Sequence, residues 1–192
     1  MYGLFLHLVE NLSFCMDLEN LQKDIELALG SFPISCFIEN KKHAKTSKQK
    51  RDNVKENLQK PLRDYLQDKS YSFLSSFHWK LEENINSNKD SVDIYGKNDD
   101  AEIYIELDSW RADQVAKKMV SRFSNIIKSG SKQVVYVAVC YPGTKHMNLE
   151  ECKKYFGYGQ NILSMIKDKS FFIGAFINKS DKIEIFKQGD NQ

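Results

Sequence analysis

Residues 93–108 read DIYGKNDDAEIYIELD, from Asp93 to Asp108, and this stretch decides the fold. Its centre, GKNDD (Gly96–Asp100), is rich in turn-forming residues and separates two short runs of strand composition, Ser91–Tyr95 and Ala101–Asp108. That pattern predicts a hairpin. Side chains alternate across a strand, so Ile103, Ile105 and Leu107 point one way and Glu102, Tyr104, Glu106 and Asp108 the other. The isoleucine face belongs to the core. A two-residue turn at Asp99–Asp100 sets Tyr95 opposite Tyr104 and Asp93 opposite Glu106. Directly opposed residues carry Cβ atoms roughly 4.5–5.5 Å apart. Two carboxylates that close destabilise the sheet unless a positive charge lies between them, and a divalent cation with oxygen ligands is one such charge. A register slipped by one would turn Asp93 onto the isoleucine face.

C-terminal to the hairpin the periodicity becomes helical. Across residues 111–128, Ala112, Val115, Ala116, Met119, Val120, Phe123 and Ile127 form an apolar face, and Arg111, Asp113, Gln114, Lys117, Lys118, Ser121 and Arg122 a polar one, with Gly130 as the stop. Gln133–Tyr141 (QVVYVAVCY) is a near-continuous apolar run of strand length, as expected of a parallel strand covered on both faces. A helix over 149–167 and strands at Phe171–Ile177 and Lys182–Phe186 follow. N-terminal to the hairpin, a helix spans Asp17–Leu29, an apolar run at Pro33–Ile38 reads as a strand, and a helical stripe runs from Val54 to Leu66 with Pro61 to kink or split it. Residues 71–81 alternate with period two and predict a half-buried strand, followed by a polar loop at Asn84–Asp90. The sum is an α/β chain: a mixed central sheet flanked by helices, with an N-terminal helical or docking segment (1–40) ahead of the main α/β unit (41–192).

This order resembles the core of the PD-(D/E)xK nucleases, the restriction-endonuclease-like fold, over roughly residues 50–141. VDIYG supplies a match to that family's Asp at Asp93, and YIELDSW a match to its acid-x-Lys element at Glu106. The resemblance implies a Mg2+-dependent hydrolase of DNA phosphodiester bonds, with Mn2+ as a substitute metal. It implies metal ligation by Asp93 and Glu106, with Asp108 as an added ligand or as the group orienting the attacking water. The family's lysine position is occupied by Asp108. Either the lysine has migrated, to Lys117 or Lys118 with Arg111 as a further candidate and Gln114 beside them, or the site is altered and the acids hold a structural ion or nothing. Glu56 and Glu82 are further acids whose simpler reading is solvated surface charge. The resemblance further implies an endonuclease of the type II restriction, defence or repair kind, with a homodimer as the arrangement that cuts two strands. A noncatalytic module of the same fold, binding nucleic acid or protein, is the alternative.

Composition narrows the partners. The chain has 192 residues, 41% of them apolar and 12% aromatic, too many for a disordered chain. Lys and Arg number 28 against 26 Asp and Glu, a net charge of +2, which excludes a uniformly basic coat. The sum is a cancellation. Six cations (Lys41, Lys42, Lys45, Lys48, Lys50, Arg51) fall within residues 41–51 with no acid, while acids gather at Asp93 and over 99–108. The basic run, with Arg111, is the candidate phosphate-contacting surface, and its binding would weaken steeply with salt. DNA is the expected partner, with RNA left open. The four cysteines (Cys15, Cys36, Cys140, Cys152) and four histidines (His7, His43, His78, His146) match no zinc spacing. Scattered thiols, no signal-peptide pattern and no membrane-length apolar run predict a cytoplasmic protein without a membrane partner. The apolar stretch Met1–Phe14 is read as a buried helix or docking segment.

Overall fold

A computed structural model describes residues 17–68, 70–84, 90–127, 130, 132–143, 149–178 and 180–187. The expectation for Met1–Phe14, and most of the 84–90 loop, lies outside these residues, as do Cys15, His7 and His146. The protein is an α/β structure with a six-stranded mixed open sheet and helices on both faces. The strands lie side by side in chain order: β1 (His78–Asn84), β2 (Ser91–Lys97), β3 (Ala101–Ser109), β4 (Gln133–Tyr141), β5 (Ser170–Ile177) and β6 (Ile183–Ile185). The β1–β2, β2–β3 and β5–β6 pairs are antiparallel, and β3–β4 and β4–β5 are parallel. Among the described residues no helix is long and apolar enough to cross a membrane.

The hairpin has the expected register. Tyr95 pairs with Tyr104 and Gly96 with Ile103, and the Asn98 N–H meets the Ala101 carbonyl across the turn. The apolar run of β4 is buried throughout Gln133–Cys140, as a strand between two parallel neighbours requires. The parallel links are made by α5 (Ala112–Ile126) and α6 (Leu149–Ile166), which pack side by side on one face against Tyr104, Tyr136 and Phe172. The other face, carrying Ile94, Ile103, Ile105, Val135, Val137 and Ile173, is covered by α1 (Leu18–Ser31), α2 (Ser35–His43) and α4 (Lys60–Leu66). The acids of β3 therefore point beneath α5, not into solvent, and every residue from Ala101 to Leu107 is buried.

Two local expectations are corrected and one is sharpened. The run Pro33–Ile38 is not a strand: from Ser35 it is α2, burying Phe37 and Ile38 and placing Lys41, Lys42 and His43 in the last turn, where the helix dipole favours cations. Short apolar runs do not distinguish a strand from a buried helical turn. The helical stretch that begins at α3 (Ser47–Val54) is split, as Pro61 leads one to expect, but the break falls just ahead of Pro61 itself. A π-turn, Lys55–Gln59, precedes it, with the Lys60 N–H bonded to the Lys55 carbonyl five residues back. The widened turn absorbs the bond Pro61 cannot make, and Pro61 sits in the first turn of α4. The strand expected from residue 71 begins only at His78. Tyr71, Leu74 and Phe77 are buried with a spacing of three, around a 3-10 turn at Leu74–Ser76, and the Trp79 indole N–H bonds the Leu74 carbonyl.

Candidate functional site

Asp93 lies on β2 and Glu106 and Asp108 on β3, at the end where those strands part. The β2–β3 ladder runs only to Ile94–Ile105. Beyond it the Asp93 carboxylate accepts the Leu107 N–H (2.8 Å), and the Asp93 carbonyl accepts from the Gln59 amide (2.6 Å) on the π-turn. On α5, Val115, Met119, Phe123 and Ile126 mark the buried stripe. Lys118 and Arg122 stand one turn apart along the edge of that stripe, above the acids. The Lys118 ammonium lies 3.0 Å from Asp93 Oδ2, 2.9 Å from Glu106 Oε2 and 3.3 Å from Asp108 Oδ1. Three carboxylates thus converge on one nitrogen, and the position between them is held by the Lys118 ammonium.

Arg122 closes the cluster from the other side. Its Nε donates to Glu106 Oε1 at 2.5 Å, one Nη to the Ser91 carbonyl at 2.7 Å and the other to Ser121 Oγ at 3.0 Å. The sequence reading placed Arg122 on the polar outer face. That is corrected: it is almost fully buried, because a buried carboxylate at Glu106 draws its guanidinium inward. Its position four residues after Lys118 and seven after Val115 was the available signal.

The electrostatics follow from burial. Glu106 is 1% exposed. Burial, with the Asp93 charge adding to it, pushes its carboxyl up to about 7, although Lys118 and Arg122 pull the other way. Burial raises Asp108 too, against the pull of Lys118. Burial alone would lower Lys118, but the charges of Asp93, Glu106 and Asp108 outweigh it and hold Lys118 above the usual lysine range. Glu106 Oε2 is buried, and its partner is the Lys118 ammonium at 2.9 Å.

The other expected residues divide. Lys117 is 73% exposed and points to Asp113 at 3.8 Å, away from the cluster. Arg111 and Gln114 also bind Asp113, at 2.9 and 2.8 Å, so neither reaches the acids. Glu56 pairs with Lys60 at the surface. Glu82 pairs with Lys55 at 3.0 Å; it stands between the paired residues Leu81 and Glu83 in the left-handed backbone region (φ 52°). Of the basic run, Lys41, Lys50 and Arg51 line a cleft of about 820 Å3, joined by Lys55 and by Asp52, Glu82, Asp93, Ser109 and Tyr141. Lys42, Lys45 and Lys48 are exposed and do not line it. Gln59 and Lys55 are site-lining residues that the sequence reading did not single out; no sequence signal marked the π-turn that presents them.

Among the described residues no group of three or more His, Cys, Asp or Glu side chains is spaced to hold a metal ion. Asp93 and Glu106 nonetheless suit Mg2+, which takes hard oxygen ligands, often from one or two carboxylates plus substrate phosphate. Glu106 Oε2 already faces the Lys118 ammonium at 2.9 Å, so an ion there would take the place of that contact. Compared with known proteins, the chain matches no family model, no curated protein and no solved structure.

Proposed function

We propose that the chain is a Mg2+-dependent endonuclease hydrolysing phosphodiester bonds of DNA, with a restriction-endonuclease-like core in which the lysine has moved from the strand to α5. The observation that carries this reading is the convergence of Asp93, Glu106 and Asp108 on the Lys118 ammonium, with Asp93 also in the lining of the cation-bearing cleft. Asp93 and Glu106 would hold the ion, which supplies Lewis-acid polarisation of the phosphate and a more acidic water. Lys118 stands where it stabilises negative charge as the attacking oxygen loses its proton and the phosphorane forms. Asp108 orients that ammonium. Arg122 fixes the Glu106 carboxylate through Oε1 and leaves Oε2 to the Lys118 ammonium.

The test is direct. Supercoiled plasmid and single-stranded circular DNA are incubated with the protein and Mg2+ or Mn2+, then with Asp93→Ala and Glu106→Ala. Cleavage with either metal that both substitutions abolish supports the reading. Cleavage that survives both removes the assigned site.

A second reading, a noncatalytic binding module, is favoured by one observation: Lys118 and Arg122 already balance the buried acids without any ion. Absence of cleavage with either metal, together with retained oligonucleotide binding, selects it.

A further inference from the structure

The cleft itself limits what can reach Asp93. One wall is built from α2, α3 and the π-turn and carries Lys41, Lys50, Arg51 and Lys55. The rest of the lining comes from the acids Asp52, Glu82 and Asp93 and from the ends of β3 and β4, with Ser109 and Tyr141. Among the described residues, Lys41, Lys50 and Arg51 have no carboxylate at ion-pair distance, whereas Lys55 is paired to Glu82. Lys41 is partly buried, and burial, with the Lys50 charge adding to it, lowers its pKa, although Asp181 pulls the other way. Cations that face a cleft with no carboxylate in contact draw anions, and several of them suit a chain of phosphates better than a single one. Tyr141 is half-buried in the lining, with the buried Phe37 ring edge to face behind it (ring centroids 5.6 Å apart), so the lining has one accessible aromatic ring beside its cations. A cationic groove with aromatic rings is the combination that takes unpaired strands.

Size decides between unpaired and paired nucleic acid. A cleft of about 820 Å3 falls in the range that encloses one small molecule, roughly 300–1,000 Å3. A volume of that order encloses a short stretch of one strand, and a duplex would lie across its mouth instead of entering. We propose that the cleft binds a single, unpaired nucleic-acid strand, with Lys41, Lys50 and Arg51 on its phosphates and the strand led past Asp93. This rests on the nuclease reading for its biological meaning, but binding can be tested without cleavage.

The experiment measures fluorescence anisotropy of a labelled 12-nucleotide single strand and of the same sequence as a duplex, in EDTA, over a series of salt concentrations. The single strand is expected to bind at least tenfold more tightly than the duplex. A Lys41→Ala, Lys50→Ala, Arg51→Ala triple variant, checked for an unchanged melting temperature, is expected to lose at least tenfold in single-strand affinity. Its slope of log affinity against log salt should flatten by about 2, given roughly 0.7 per cation for single strands. Equal or tighter duplex binding overturns the proposal, as does a triple variant that binds the single strand like the parent. Loss of cleavage with intact single-strand preference would count against the nuclease reading and not against this one.

Discussion

Lys118 and Arg122, one helical turn apart on α5, grip opposite oxygens of the same carboxylate: the Lys118 ammonium lies 2.9 Å from Glu106 Oε2 and the Arg122 Nε 2.5 Å from Oε1. A charge buried this deeply is tolerated only while it is paired. Arg122 also ties the start of β2 to α5 through the Ser91 carbonyl. Arg122→Ala should therefore lower the unfolding free energy by about 3–5 kcal/mol, the usual cost of stranding a buried charge. Replacing both partners, Arg122→Leu with Glu106→Leu, should recover most of it. Urea denaturation of the three proteins measures this, and a loss below about 1 kcal/mol for Arg122→Ala would show that the pair is not structural.

The two neighbouring lysines of α5 should behave differently. Lys118 touches three carboxylates, and Lys117 faces solvent beside Asp113. If the proposed reaction is correct, Lys118→Gln lowers kcat by about 10²–10³, the usual effect of removing one group that stabilises developing charge. Lys117→Gln stays within about twofold of the parent. Equal losses from both substitutions would indicate a general electrostatic effect and not a placed ammonium.

How these residues came together was legible in the sequence to different degrees. The hairpin and its register were readable because alternation and turn chemistry both act over a few residues, and the Tyr95–Tyr104 pairing followed from them. That a lysine of the following helix would meet Asp93 was also readable. The choice of Lys118 over Lys117 needed the inward stripe of Val115, Met119 and Phe123, which Lys118 borders. Arg122 was missed because a charged side chain is placed outside by default; only the buried partner on a neighbouring strand reverses that. The π-turn that delivers Gln59 to Asp93 was missed for a related reason. Pro61 announces a disturbance, but how the chain absorbs it depends on what packs around it.

A packing prediction concerns Gly174 on β5. A Cβ added there would sit 2.5 Å from ring atoms of Phe156 on α6, closer than such contacts allow. The ring itself is fully buried and has nowhere to swing. Gly174→Ala should cost about 1–3 kcal/mol through overpacking. Gly157→Ala, on the same helix as Phe156 with open space around its Cβ, should instead be neutral or stabilising by up to about 1 kcal/mol. Thermal melts of the two variants check the contrast. A silent Gly174→Ala would mean that α6 does not press on β5 as described.

The cluster should also set how stability responds to pH. Glu106 has an ordinary value of 4.5 and in the fold about 7, raised first by burial. The folded state therefore holds this proton more tightly than the unfolded chain. The contribution is full below the unfolded value and is lost as pH rises through the folded one, so stability should fall between about pH 4.5 and 7. At its steepest the fall is about 1.4 kcal/mol per pH unit. Asp108, also raised by burial, acts in the same direction. Glu106→Gln carries the neutral form permanently and should flatten most of this slope. If Mg2+ binds the Glu106 carboxylate, it competes with the proton, so the rise in Tm on adding Mg2+ should be larger at pH 8 than at pH 6 and should vanish in Glu106→Gln. A slope that persists in Glu106→Gln would assign the titration to another group. A Mg2+ effect independent of pH would place the ion away from Glu106.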